Sequence, residues 1–352
     1  MIAALTCPVG HAAYEQPGEY QMTMETKLQK HVLQWHITHR CNLHCTHCYQ
    51  EDSAGELPFS ALSSFFQQYL DFCSAGHFRG HINLTGGEPL LAAHFFPLLD
   101  LFESNRMTFG ILSNGTCITR ETAAQLAGYS CLRFVQVSID GTRETHDSIR
   151  GTGSFDRACE GLRHLRAAGI QTMAAFTCHQ RNYRELRDVI RLMRRQKVDR
   201  FWADRLVPAG GCKEDILTDE QFLAVLEVLT REHNRKHLFR HTEVHLNRAM
   251  QFLSGGECYY HCAAGTTLLT LLADGTLLPC RRLPLPVGNC LEADMLTLCR
   301  NSPLIAELRQ ENVPEDCTAC PKAHLCRGGA KCLTYAVTGK LSGKDINCCY
   351  RY

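Results

Sequence analysis

Between residues 31 and 207 the sequence switches repeatedly between two periods, and this alternation restricts the fold more than any other feature of the chain. Apolar runs rich in β-branched and aromatic residues appear at "HVLQWHIT", "HINLTGG", "TFGILSNG", "LRFVQVSID", "IQTMAAFT" and "RFWADRLV". Between them lie segments with apolar residues at helical spacing: "FSALSSFFQQYLDFC", "HFFPLLDLFES", "TRETAAQLAG", "DRACEGLRHLRAAG" and "NYRELRDVIRLMRRQ". A strand, a crossover helix and a further strand build a parallel sheet, so the six units predict an α/β fold, a partial (β/α)6 TIM-like barrel coated by helices. In such folds the loops after the strands carry the chemistry. Here those loops hold the unusual residues. Cys41, Cys45 and Cys48 follow the first strand, "TGGEP" (85–89) ends the second, "SNG" (113–115) the third and "SIDG" (138–141) the fourth.

With 352 residues, 45% hydrophobic and 21% charged, the chain can bury a full core. A net charge of +1 gives no bulk field toward nucleic acid or a membrane surface, so neither is expected as a partner. No apolar run approaches the ~18 residues of a membrane span. The start "MIAALTCPVG" lacks the basic region and long apolar stretch of a signal peptide, and a cytoplasmic location is expected. The 21 cysteines are therefore read as metal-binding thiols rather than a disulfide framework. Eleven of them fall between Cys258 and Cys349. This shift near residue 250, with "LSGGE" (253–257) as a flexible joint, predicts an N-terminal segment (1–30), the barrel (31–250) and a cysteine-rich, mostly irregular domain (251–352).

"HRCNLHCTHCYQ" (39–50) spaces three cysteines as C-x3-C-x2-C, and no fourth follows before Cys73. An iron–sulfur cluster normally takes four thiolates; three leave one iron open to an exogenous ligand, which makes it a catalytic iron. A zinc knuckle completed by His44 or His47 is the alternative for the spacing alone.

With "TGGEP" at the end of the second strand, the pattern resembles the radical S-adenosylmethionine superfamily. The resemblance implies a [4Fe-4S] cluster on Cys41, Cys45 and Cys48, its open iron chelated by S-adenosylmethionine. It further implies that Gly86, Gly87 and Glu88 meet the cofactor's amino group. Asn114, Ser138 and Asp140 would contact its ribose and carboxylate, and Arg150 of "HDSIRG" would help hold it. The C-terminal cysteines resemble the SPASM extension, which binds two auxiliary [4Fe-4S] clusters, three clusters in all. One would take Cys258, Cys262, Cys280 and Cys332, the other Cys317, Cys320, Cys326 and Cys348. Two departures stand out: five residues separate Cys326 from Cys332, and "NCC" leaves Cys348 and Cys349 as alternatives.

Relatives of this kind imply an oxidoreductase that forms a 5'-deoxyadenosyl radical and abstracts hydrogen from a precursor peptide, leaving a thioether or carbon–carbon crosslink or an epimerised residue. A side-chain-modifying enzyme of tetrapyrroles is the alternative, and a non-catalytic electron relay a third. An electron donor such as flavodoxin or ferredoxin is expected. Forty residues precede Cys41, too few for the leader-binding domain of many peptide maturases, so a separate leader-binding protein or the SPASM domain itself is expected to present the peptide. Sulfatase-maturing relatives place an aspartate after the cysteine matching Cys280, whereas this chain has Arg281. Cys178 and Cys212, after the fifth and sixth strands, fit no cluster motif and are candidate hydrogen-atom donors to a substrate radical.

Overall fold

The computed structural model describes residues 28–49, 55–208, 215–235, 242–245, 261–310, 312–348 and 350. Six parallel strands form the barrel wall: β1 (Gln29–His36), β2 (Phe78–Thr85), β3 (Phe109–Ser113), β4 (Leu132–Ser138), β5 (Thr172–Cys178) and β6 (Arg200–Arg205). The crossover helices are α1 (Phe59–Ala75), α2 (Phe95–Ser104), α3 (Arg120–Leu126), α4 (Arg143–Arg150), α5 (Ser154–Ala167) and α6 (Leu186–Arg195). Beyond β6, helix α7 (Asp219–His233) leads to β7 (Glu243–His245), which pairs with β6 in parallel. The expected partial barrel is thus present, one strand longer than the six sequence runs.

The period-2 pattern decides which side chains enter the barrel. On β1, Leu33 and Trp35 face the helices and are fully buried, while Gln34 and His36 point the other way. Trp35 packs between Phe65 of α1 and Phe102 of α2, with ring centroids 6.4 and 6.0 Å away. Leu62, Phe65, Phe66, Tyr69, Phe72 and Cys73 form one buried stripe of α1 against the sheet. Like Cys73, Cys131 and Cys159 are buried packing residues, whereas Cys117 is half-buried in the loop after β3.

The cysteine-rich region is tied into the same sheet. Strand β8 (Leu268–Leu271) pairs in parallel with β1 on the side opposite β2, so Val32 to Trp35 lie beside Leu268 to Leu271. β9 (Thr276–Leu278) and β10 (Gly288–Asn289) continue it antiparallel. The sheet order is β10-β9-β8-β1-β2-β3-β4-β5-β6-β7. Four short helices follow: α8 (Met295–Asn301), α9 (Pro303–Arg309), α10 (Ala323–Cys326) and α11 (Lys331–Thr338). The expected joint at 253–257 and all but the last residues of the expected N-terminal segment lie outside the described residues.

Candidate functional site

The loop after β1 and the end of β2 are built onto each other. Gly87 N–H donates to Thr38 O at 2.9 Å and Glu88 N–H to Arg40 O at 2.8 Å, so the strand-two turn fixes the entry to Cys41. Any side chain would block this. A Cβ on Gly87 would lie 2.3 Å from Arg40 O, and Gly86, at φ +147°, would bring one within 2.5 Å of Thr38 O. The other end of the loop is held by Thr46 N–H, which donates to Ile149 O at 2.9 Å in the last turn of α4.

This scaffold gathers Cys41, Cys45 and Cys48 on one wall of a cavity of about 350 Å³, with Gly86, Gly87, Asn114, Ser138 and Arg150 around them. Burial pushes the Cys41 and Cys45 thiols up, and the charge of the neighbouring thiols adds to it. Two donors work in the opposite direction: Asn114 Nδ2 lies 3.9 Å from Cys41 Sγ, and Arg150 Nη1 3.8 Å from Cys45 Sγ. Such donors favour thiolate, the form that ligates iron. Three thiols lining one cavity, with a cation beside Cys45, fit in residue type a cluster with one free iron.

Two residues expected to touch S-adenosylmethionine do other work. Glu88 is fully buried off the cavity wall, accepting from Ser113 Oγ and Asn114 N–H, both at 2.8 Å. It bolts the end of β2 to the end of β3 and so positions Asn114; its expected contact with the cofactor's amino group is corrected accordingly. Asp140 is likewise fully buried. Its carboxylate accepts from Arg150 Nε at 2.6 Å and Thr177 N–H at 2.7 Å, and His47 Nε2 stands 3.4 Å away. Burial would raise the Asp140 pKa, but Arg150 and His47 outweigh it and hold the carboxyl at about 2. Asp140 therefore organises Arg150 and the Cys45–Cys48 loop and, fully buried, does not line the cavity.

Burial pushes Glu88 up to about 7 against the pull of its hydrogen-bond donors. A carboxyl raised on folding contributes stability that is complete below about pH 4.5 and lost as pH rises through about 7. Glu88→Ala should flatten that part of the pH–stability profile. It also leaves Ser113 Oγ and Asn114 N–H unpaired, at a cost of about 1–3 kcal/mol, and should weaken S-adenosylmethionine binding through Asn114. Thermal melts across this pH range together with equilibrium dialysis check both effects; an unchanged melt and affinity would contradict the positioning role.

Cys262, Cys280 and Cys332 line a second cavity that shares Trp202, Asp204, Arg281 and Arg282 with the first. The fourth residue of that expected set, Cys258, lies outside the described residues. Cys317, Cys320, Cys326 and Cys348 form a separate group whose thiols repel one another's charge. The unusual spacing before Cys332 has a backbone cause. Arg327, Gly328 and Gly329 all have positive φ (51°, 82° and 78°), which reverses the chain between α10 and α11 and turns Cys332 toward the other set. Cys348 is placed by Asp345: Cys348 N–H donates to its carbonyl, while its carboxylate takes Arg205 of β6 at 2.7 and 2.8 Å and Ala330 N–H at 2.9 Å. Cys349 and the candidate donor Cys212 lie outside the described residues.

Cys178 does not reach the cavity. It ends β5 and is fully buried in the hydrophobic core, while Ala175, Phe176 and Thr177 just before it line the cavity. The expectation that Cys178 donates hydrogen to a substrate radical is withdrawn on that ground. Sequence reasoning also passed over Arg282, ion-paired with Asp204 of β6. The signal was there, in the two arginines directly after Cys280.

The sequence pattern of the Radical SAM superfamily matches residues 35–193, and that of the SPASM iron–sulfur cluster-binding domain residues 262–321. The chain is 36% identical over 214 residues to Fe-coproporphyrin III synthase of Methanosarcina barkeri, a match spanning 58% of this chain and about half (52%) of that enzyme. It is 29% identical over 333 residues to mycofactocin maturase MftC of Mycobacterium tuberculosis, covering 90% and 82% of the two chains. Streptococcus suis SuiB bound to S-adenosylmethionine has the same fold, with a TM-score of 0.75, 17% identity and coverage of 92% and 78%. No helix among the described residues is long and apolar enough to cross a membrane. Residues 35–193 thus form a radical SAM superfamily domain, followed over residues 262–321 by a SPASM iron–sulfur cluster-binding domain.

Proposed function

We propose that the protein is a peptide-modifying radical SAM/SPASM enzyme in which Cys41, Cys45 and Cys48 hold the catalytic cluster, with one auxiliary cluster on Cys258, Cys262, Cys280 and Cys332 and the other on Cys317, Cys320, Cys326 and Cys348. The observation that carries this reading is the shared wall of the two cavities: the first auxiliary cysteine set borders the space that opens onto the three thiols after β1. When bound, the cofactors supply a 5'-deoxyadenosyl radical that removes a hydrogen atom from an unactivated carbon. The chain's own part is to orient and to exclude water. Asn114 and Arg150 steady the thiolates, Gly86, Gly87 and Ser138 shape the cofactor end, and Trp202, whose indole donates to Gln136 Oε1 at 2.8 Å, walls the far side.

The peptide reading is supported by the likeness to mycofactocin maturase MftC and by the fold shared with SuiB, which has also been solved with its precursor peptide SuiA. A tetrapyrrole substrate is the second reading, favoured by the likeness to Fe-coproporphyrin III synthase. A flavodoxin- or ferredoxin-type donor supplies electrons. With Cys178 buried in the core, epimerisation would fall to Cys212; the outcome proposed here is oxidation of the peptide, with net loss of a pair of hydrogen atoms. The test is anaerobic turnover with S-adenosylmethionine and dithionite on a short peptide encoded beside the gene, and separately on a panel of carboxylated tetrapyrroles that includes Fe-coproporphyrin III and more highly carboxylated precursors, read by mass spectrometry. A peptide product lighter by one hydrogen pair is expected; a modified porphyrin with an untouched peptide would replace this reading by the second.

A further inference from the structure

Four arginines line the two adjoining cavities: Arg150, Arg205, Arg281 and Arg282. Three are neutralised from within the chain, by Asp140, Asp345 and Asp204 respectively for Arg150, Arg205 and Arg282. Arg281 forms no ion pair or hydrogen bond with any described residue, although it lines both cavities. Its surroundings are short of partners too. Among the described residues, buried His36 Nε2 and both ring nitrogens of His39 make no hydrogen bond. Burial, with the charge of Arg281 and the neighbouring His39 adding to it, drives the His36 pKa down to about 3, so His36 is neutral, and among the described residues no carboxylate pairs with the arginine.

A half-buried guanidinium without a counter-ion is costly, and so are ring nitrogens buried without partners; a bound anion relieves both. The planar fork of arginine fits a carboxylate with two parallel hydrogen bonds. Arg281 directly follows Cys280 and lines both the cavity of the first auxiliary set and the one that holds Cys41, Cys45 and Cys48, so it stands where the two join. We infer that Arg281, with the ring nitrogens of His39 beside it, anchors a carboxylate of the substrate in the space between the radical site and the first auxiliary cysteine set. The inference rests on the reading of this cavity as the substrate site and adds the chemical class of the group held there. The carboxylate is an acidic side chain or C-terminus of a peptide, or a propionate of a tetrapyrrole.

The test compares the reconstituted wild type with Arg281→Gln and Arg281→Lys. The probes are a fluorescein-labelled glutamate-rich peptide, its glutamine-rich counterpart, coproporphyrin III and its tetramethyl ester, with binding read by anisotropy or fluorescence quenching. At least one acidic probe should bind the wild type roughly tenfold or more tighter than its neutral counterpart, and Arg281→Gln should lose that margin. Arg281→Lys should keep part of it, and S-adenosylmethionine affinity and iron content should stay as in the wild type. Selective binding of the acidic peptide supports the anchor on a peptide. Selective binding of coproporphyrin III supports the anchor while moving the proposed substrate to the second reading. Failure of both acidic probes to bind the wild type, equal binding of acid and neutral probes, undiminished acid binding by Arg281→Gln, or loss of S-adenosylmethionine binding in that variant would each overturn the inference.

Discussion

Replacing Cys41, Cys45 and Cys48 together by alanine is expected to lower the iron of the anaerobically reconstituted protein from about twelve to about eight atoms per chain, and to abolish S-adenosylmethionine cleavage. The expectation follows from how the thiols are distributed. The three cysteines after β1 share a cavity wall, whereas the two auxiliary sets are separate groups held by other devices: the left-handed turn at Arg327–Gly329 and the Asp345 carboxylate. Removing one set therefore leaves the ligands of the others in place. All three thiols lie in a loop between β1 and α1, so their loss leaves the core untouched. Iron content equal to that of the wild type would show that this loop holds no cluster.

The second large effect is predicted for Asp140. Its carboxylate is the counter-ion of buried Arg150, a support for His47 between two of the cysteines, and the acceptor for Thr177 N–H. Asp140→Ala leaves a buried guanidinium without its partner, a change that costs about 3–5 kcal/mol. That corresponds to a melting temperature lower by on the order of 10 °C. Asp140→Asn keeps an acceptor for Thr177 N–H but not the charge, and should fall between the wild type and Asp140→Ala. Because Arg150 also reaches Cys45, both variants should show a catalytic cluster that is lost faster on exposure to air. Differential scanning calorimetry and the decay of the cluster absorbance measure the two consequences. A melting temperature within a degree or so of wild type for Asp140→Ala would show that Arg150 does not depend on this pairing.

What could be read from the sequence and what could not divides along contact range. The cysteine triplet, the "TGGEP" turn and the strand-ending loops are local patterns, and the structure places them at one end of a parallel sheet as their periodicity predicts. The roles of Glu88 and Asp140 were misjudged because a polar residue in a loop looks the same whether it faces a ligand or a distant backbone amide. The partners that decide the matter, Asn114 and Thr177, lie 26 and 37 residues further along the chain. Cys178 ends the strand fully buried in the core, whereas the cavity is lined by Ala175, Phe176 and Thr177 before it, a difference the apolar run of β5 does not reveal. The pairing of β8 with β1 joins segments over 230 residues apart, and a four-residue apolar run carries no mark of its partner. Helix α4 escaped notice for a related reason. Its sequence "RETHDSIR" is almost wholly polar, with only His146 and Ile149 buried, so it offers no apolar stripe although its last turn supplies Arg150.

The most direct test of the account is the fate of S-adenosylmethionine in the reduced protein. Wild type, the Cys41/Cys45/Cys48 triple alanine variant and a Cys317/Cys320 double alanine variant are each reconstituted anaerobically, reduced with dithionite and given S-adenosylmethionine without substrate. 5'-Deoxyadenosine is then measured by liquid chromatography and mass spectrometry. The account predicts 5'-deoxyadenosine from the wild type, a lower but measurable amount from the double variant, and none from the triple variant. 5'-Deoxyadenosine from the triple variant at the wild-type level, or none from a wild type carrying its full iron, would contradict it.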